Sequence, residues 1–135
     1  MAKYAHADVL DGGLNALKNG ANEMWLVKAY VAKDSYATVN GKKIASVAMD
    51  NVDPTTDYTI AGVDGAARVL TTAVKSATAS GSSVGAVGGD DLHIAFVDTV
   101  NSKVLYVTDE TSDQPITSGN PVNFPSLTYT SGQPA

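Results

Sequence analysis

The chain has 135 residues, 44% of them hydrophobic, enough for one domain with its own core and too few to expect two. Nine Lys and Arg against fourteen Asp and Glu give a formal net charge of -5, and the basic residues are scattered, so the clustered cations that bind a nucleic-acid backbone are missing. With no cysteine there is no disulfide framework, thiolate metal site or cysteine nucleophile, and no apolar run approaches the ~20 residues that cross a bilayer.

The helix signal comes first. Val9, Leu10, Gly13, Leu14 and Leu17 share one face of a 3.6-residue period. Asp8 is placed to cap the start, Asp11 lies in the first turn, Lys18 in the last, and Gly20 offers a left-handed stop. Gly12 and Gly13 each cost roughly 1 kcal/mol against alanine, so the helix needs a surface to dock on. Residues 1–7 ahead of it read as an N-terminal arm, with no apolar signal core.

Residues 24–31 predict a strand that is apolar on both faces, with Trp25, Val27 and Ala29 on one and Met24 and Leu26 on the other, hence a central one. Asn40-Gly41 favours a type I′ turn and predicts a hairpin between residues 35–39 and 42–49. After a polar loop over 50–56, residues 57–61 and 68–74 read as strands around the turn formers Gly62 and Gly65. Residues 78–90 are nearly all Ala, Ser, Gly and Val and predict a flexible loop. Leu92, Ile94 and Phe96 then alternate with His93, Ala95 and Val97, and residues 103–108 form a second such run across a short polar turn, a β-hairpin. The prolines of the last extended segment, residues 122–129, suit a sheet edge, and residues 131–135 read as a frayed tail. Turn signals at this spacing predict a mainly β chain, an antiparallel β-sandwich or small barrel with one short N-terminal helix, as a single domain over 1–135.

Catalytic and metal signatures are missing from the sequence. Neither His6 nor His93 has a third ligand at a metal spacing, and His93 reads as an ordinary strand histidine. The acidic turns at Asp50, Asp53, Asp90 and Asp91 lack the glycine and terminal glutamate of an EF-hand and read as solvated carboxylates. Asp109, Glu110 and Asp113 have the residue types of a paired-carboxylate glycosidase, but nothing nearby in the sequence offers a cleft or a group to support them. No nucleophile elbow or phosphate loop occurs. The expectation is a protein with no catalytic, cofactor or metal site.

The segment from Ala5 to Ala21, the hairpin runs Leu92 to Asp98 and Lys103 to Thr108, and the stretch Pro115 to Pro125 together resemble a family of small virion proteins of tailed bacteriophages, the head decoration or cement type. The resemblance covers both ends of the chain and about half its length, while residues 31–89 depart from it. It implies a structural protein made in the host cytoplasm and placed on the outer surface of the capsid, with the major capsid protein as partner and a homo-oligomer, trimer favoured, as the bound form. A receptor- or glycan-binding domain of a tail or fibre is the alternative, and it would show aromatic side chains on an exposed groove.

Two regions are candidates for the partner contact: Lys3, Tyr4 and His6 of the arm with Leu10 and Leu14 of the helix, and Pro121, Val122, Phe124 and Pro125, where two prolines keep a strand from pairing fully. The competing expectation is that Phe124 and the helix leucines are ordinary core.

Overall fold

The structure is a computed structural model and describes residues 2–52, 56–82, 91–109 and 116–134. Three antiparallel sheets and an N-terminal helix make a sandwich-like, mainly β domain. Helix α1 spans Ala7–Gly20. The strands are β1 (Glu23–Val27), β2 (Lys43–Ala48), β3 (Tyr58–Ala61), β4 (Arg68–Thr72), β5 (Lys75–Thr78), β6 (His93–Asp98), β7 (Lys103–Asp109), β8 (Pro121–Phe124) and β9 (Thr128–Ser131). They order as β2-β1-β6-β7, β3-β4-β9 and β5-β8.

The expected central strand is β1, paired with β2 on one side and β6 on the other. Its two faces serve two apolar clusters. Met24 and Leu26, with Ile94 and Phe96 of β6, face the larger one, which gathers Leu14 and Leu17 from α1, Tyr58 and Leu70 from the three-stranded sheet, and Val122 and Phe124 from β8. Trp25 and Val27, with Ala95 and Val97, face the smaller one. Period-two alternation along β1 and β6 thus divides the interior.

In α1 the buried stripe is narrower than expected: Leu10, Leu14 and Leu17 are buried, whereas Val9 is 71% exposed. Asp8 is not the cap. His6 is, its Nδ1 accepting from the Asp8 N–H at 3.1 Å, which leaves Asp8 as the favourable first-turn carboxylate. Nor does Gly20 act as a left-handed stop, since the chain leaves through Ala21 in extended conformation. A Cβ on Gly20 would come within 2.9 Å of Leu105 Cδ1, a contact that a small shift of the leucine side chain relieves.

The Asn40-Gly41 hairpin does not form. Residues Tyr36–Gly41 make a six-residue helix, α2, because Ser35 Oγ accepts from the Thr38 N–H at 3.2 Å and caps it, and the Lys42 N–H closes its other end on Thr38 and Val39 carbonyls. The strand expected over 24–31 ends at Val27. Ala29 has φ 51°, and the Lys42 ammonium holds the following turn through the Ala29 carbonyl at 2.7 Å and the Asp34 carboxylate at 2.6 Å.

Hairpins β3–β4 and β6–β7 form as expected. Gly62, at φ 131°, has no room for a side chain, because a Cβ would stand 2.4 Å from the Ala67 carbonyl oxygen. Strand β5 lies where no strand was expected. It pairs with β8 and stands against β2, and Ala79 beyond it is buried, with its N–H donating to the Asn120 carbonyl at 2.8 Å. Residues 78–82 of the expected flexible loop are therefore anchored, and residues 83–90 lie outside the described residues. The expected frayed tail begins inside β9, and Gln133 is tied to Ala5. The prolines do mark a short strand paired on one side, β8.

Candidate functional site

The candidate contact residues separate into two kinds. Leu10, Leu14, Val122 and Phe124 are buried, the last three in the large cluster, so the chain's own core claims them and they are not available as a surface. This corrects their reading as partner contacts. Four apolar residues at helix and strand periods meet the core before they meet anything else. Lys3, Tyr4, His6, Pro121 and Pro125 are exposed. Tyr4 and His6 sit by the β3–β4 turn, while Pro121 opens β8 beside β5, so the two candidate regions dock on different sheets.

The N-terminal arm is held from residue 4 onward. Tyr4 Oη donates to Asp64 Oδ2 at 2.6 Å and the Ala7 N–H donates to Asp64 Oδ1 at 3.0 Å. The Gln133 side chain accepts from the Ala5 N–H and donates to its carbonyl, both at 2.9 Å. Below this, Arg68 holds Asp11 of α1 at 2.7 Å and also donates to the Gly62 carbonyl. The result is a surface built from both chain termini and the β3–β4 turn. Tyr4 is 58% exposed on it, and Val9 and Val63, each next to a residue or turn in this network, are 71% and 73% exposed.

Four paired carboxylates, two of them on this surface, give a pH dependence. The Tyr4 hydroxyl holds the Asp64 carboxyl below its ordinary range, the Arg68 guanidinium does the same for Asp11, and Lys42 for Asp34. The Asn101 side chain and backbone N–H lower Asp98 in the β6–β7 turn. Each binds a proton less readily folded than unfolded, so its stabilisation is complete above the unfolded value of about 4 and is lost as pH falls through the lower folded value. The urea midpoint is expected to be flat from about pH 7 to 5 and to drop below about pH 4. A midpoint that rises on acidification would contradict these pairings.

A second site lies along β7, one of the two outer strands of the four-stranded sheet, where a groove of about 490 Å³ is lined by Tyr30, Lys33, Asp34, His93, Tyr106 and Asp109 among others. The Tyr30 ring packs on His93, centroids 5.2 Å apart. Register pairs His93 directly with Asp109, and Asp91 reaches the same point from the strand's approach. One ligand atom from each of Asp91, His93 and Asp109 lies within 4.8 Å of the others. His93 thus has the neighbours that sequence spacing did not provide. The cause is a register shift between Phe96 and Val97: Val97 faces Val104 but Phe96 faces Tyr106, so Leu105 is the extra residue and His93 meets Asp109 instead of Thr108. Glu110 and Asp113, and the acidic residues Asp53 and Asp90, lie outside the described residues.

Comparison with protein-family models, with curated proteins and with solved structures finds no match to this chain.

Proposed function

We propose that this chain is a non-enzymatic virion structural protein of the head-decoration, or cement, type, binding the assembled capsid shell through the major capsid protein and stabilising it. The observation that carries the reading is the surface around Asp64, where Tyr4 and Val63 are solvent-exposed on a backbone that hydrogen bonds hold in place. Exposed aromatic and aliphatic side chains on a pre-ordered backbone suit a protein contact, because little entropy remains to be lost on binding. The resemblance of both chain ends to the decoration family supports the same reading, and a homo-oligomer on a repeating lattice, a trimer for preference, follows from it. The mechanism is mass action: a ligand of the assembled shell with no affinity for free subunits stabilises the shell at every site it fills.

Purified chain is expected to co-sediment with assembled capsids, to raise their melting temperature, and to leave unassembled capsid protein in the supernatant. Deleting Met1 to Ala5 is expected to weaken capsid binding by about tenfold or more, corresponding to about 1.4 kcal/mol, since tyrosines are frequent hot spots. Unchanged affinity with the fold intact would remove the terminal surface from the contact, and equal binding to free subunits would refute the mechanism.

One observation favours the second reading, a receptor- or glycan-binding domain of a tail or fibre. The Tyr30 ring lines the β7 groove together with Asp34 and Asp109, the pairing of apolar ring and carboxylate that sugar recognition uses. Glycan-array binding that Tyr30→Ala abolishes, without capsid association, would select it.

A further inference from the structure

We infer that Asp91, His93 and Asp109 form a binding site for a divalent transition-metal ion of the zinc class, fastening the open end of the β6–β7 hairpin at the mouth of the groove. The donor set is one imidazole nitrogen and two carboxylates on adjoining backbone, with ligand atoms within 4.8 Å of one another. Bonds of 2.0–2.2 Å around a tetrahedral ion separate donors by about 3.3 Å, so small rotations of Asp91 and Asp109, both exposed, bring the three donors to that spacing. Two oxygens with one imidazole suit zinc better than calcium, which takes an all-oxygen shell of higher number.

The histidine is also oriented for the task. His93 Nδ1 stands 3.3 Å from the Asp91 carbonyl oxygen, which can only accept, so this contact places the hydrogen on Nδ1. The lone pair of a neutral ring then lies on Nε2, which faces Asp91 Oδ2 at 4.0 Å. A lone pair and a carboxylate pointed at each other repel unless a cation sits between them. The backbone carbonyl behind Nδ1 is the supporting partner that metal-bound histidines regularly have. The ring itself is fixed, its side chain 17% exposed and packed on Tyr30, so little order has to be created on binding. Among the described residues the Asp109 carboxylate has neither a hydrogen bond nor an ion pair to compete for it. Three protein ligands leave a further position open toward the groove.

The competing occupant of the same space is a proton, giving an imidazolium between two carboxylates. Titrating chelator-treated full-length protein with zinc chloride, followed by calorimetry and by the imidazole resonances in NMR, separates the two. One zinc per chain is expected, with perturbation of the His93 ring protons and a melting temperature higher by roughly 5 °C at saturating metal. Magnesium and calcium at the same concentration are expected to produce neither effect. Asp109→Asn and His93→Ala are each expected to weaken zinc binding at least tenfold. His6→Ala, which removes the histidine placed near Asp8 and Asp64, should leave it unchanged. Asp109 is exposed, so its variant keeps the fold and decides the matter even if His93→Ala does not fold. The assignment is overturned by no saturable zinc binding, by binding that Asp109→Asn leaves intact, or by loss of binding in His6→Ala.

Discussion

Phe124→Ala is expected to destabilise the domain by about 3–5 kcal/mol, a loss comparable to the whole stability of a small domain. Phe124 closes strand β8 opposite Lys75 of β5 and is 1% exposed within the large cluster. That cluster draws on all three sheets and α1, so the cavity left by the ring has rigid walls on every side and cannot collapse cheaply. Urea unfolding followed by far-ultraviolet circular dichroism measures the loss. A variant of unchanged stability that had lost only capsid binding would instead place Phe124 at an interface, contrary to its burial. The neighbours Pro121 and Pro125 are exposed and remain substitutable, with expected effects within about 0.5 kcal/mol on stability.

What the sequence made legible was periodicity, and what it hid was competition between local signals. The alternation of Leu92, Ile94 and Phe96 with His93, Ala95 and Val97 places each residue on the correct face of β6, and the doubly apolar character of β1 marks it as central. At Asn40-Gly41 two local signals conflicted. The dipeptide suits a type I′ turn, but Ser35 three residues before Thr38 is also a helix cap, and the short helix it starts packs Val39 and Tyr36 onto Trp25. Tertiary burial decides between them, and local sequence does not contain it. Strand β5 has the composition of a loop; pairing with β8, the approach of β2 and the Lys75–Asp57 ion pair at 2.7 Å make it a strand.

The candidate site was hidden for a sharper reason. Counting back from the Asp98–Lys103 pair without interruption opposes His93 to Thr108 and sends Asp109 to the other face. One inserted residue, Leu105, reverses this, since a shift of one in register exchanges the faces of a strand. Leu105 also lies over Gly20 at the end of α1, so the bulge is tied to a long-range contact that no window of sequence reveals. The contact candidates were divided by the same kind of information: helix and strand periods identified Leu14 and Phe124 as apolar and patterned, but only packing shows that they face inward.

Trp25→Ala is expected to cost about 3–5 kcal/mol as well, but through the opposite face of the four-stranded sheet. Trp25 is the only tryptophan, and its side chain is the largest in the smaller cluster with Val27, Val39, Ala95 and Val97. Its ring lies 5.4 Å from the Tyr36 ring, Lys43 Nζ stands 4.5 Å above it, and its Nε1–H donates to Glu23 Oε1 at 2.9 Å. Tyr36 and Val39 belong to α2, and a helix of six residues does not persist in water without a surface beneath it. Removing the indole is therefore expected to release α2 before the large cluster gives way, so amide exchange should accelerate first at Val39 and Lys42, whose N–H groups bond within that turn. Trp25→Phe keeps an aromatic surface for Tyr36 and is expected to lose less stability and to retain protection in α2. Uniform acceleration of exchange across β1, β6 and α2 in Trp25→Ala would show instead that the two clusters open as one unit.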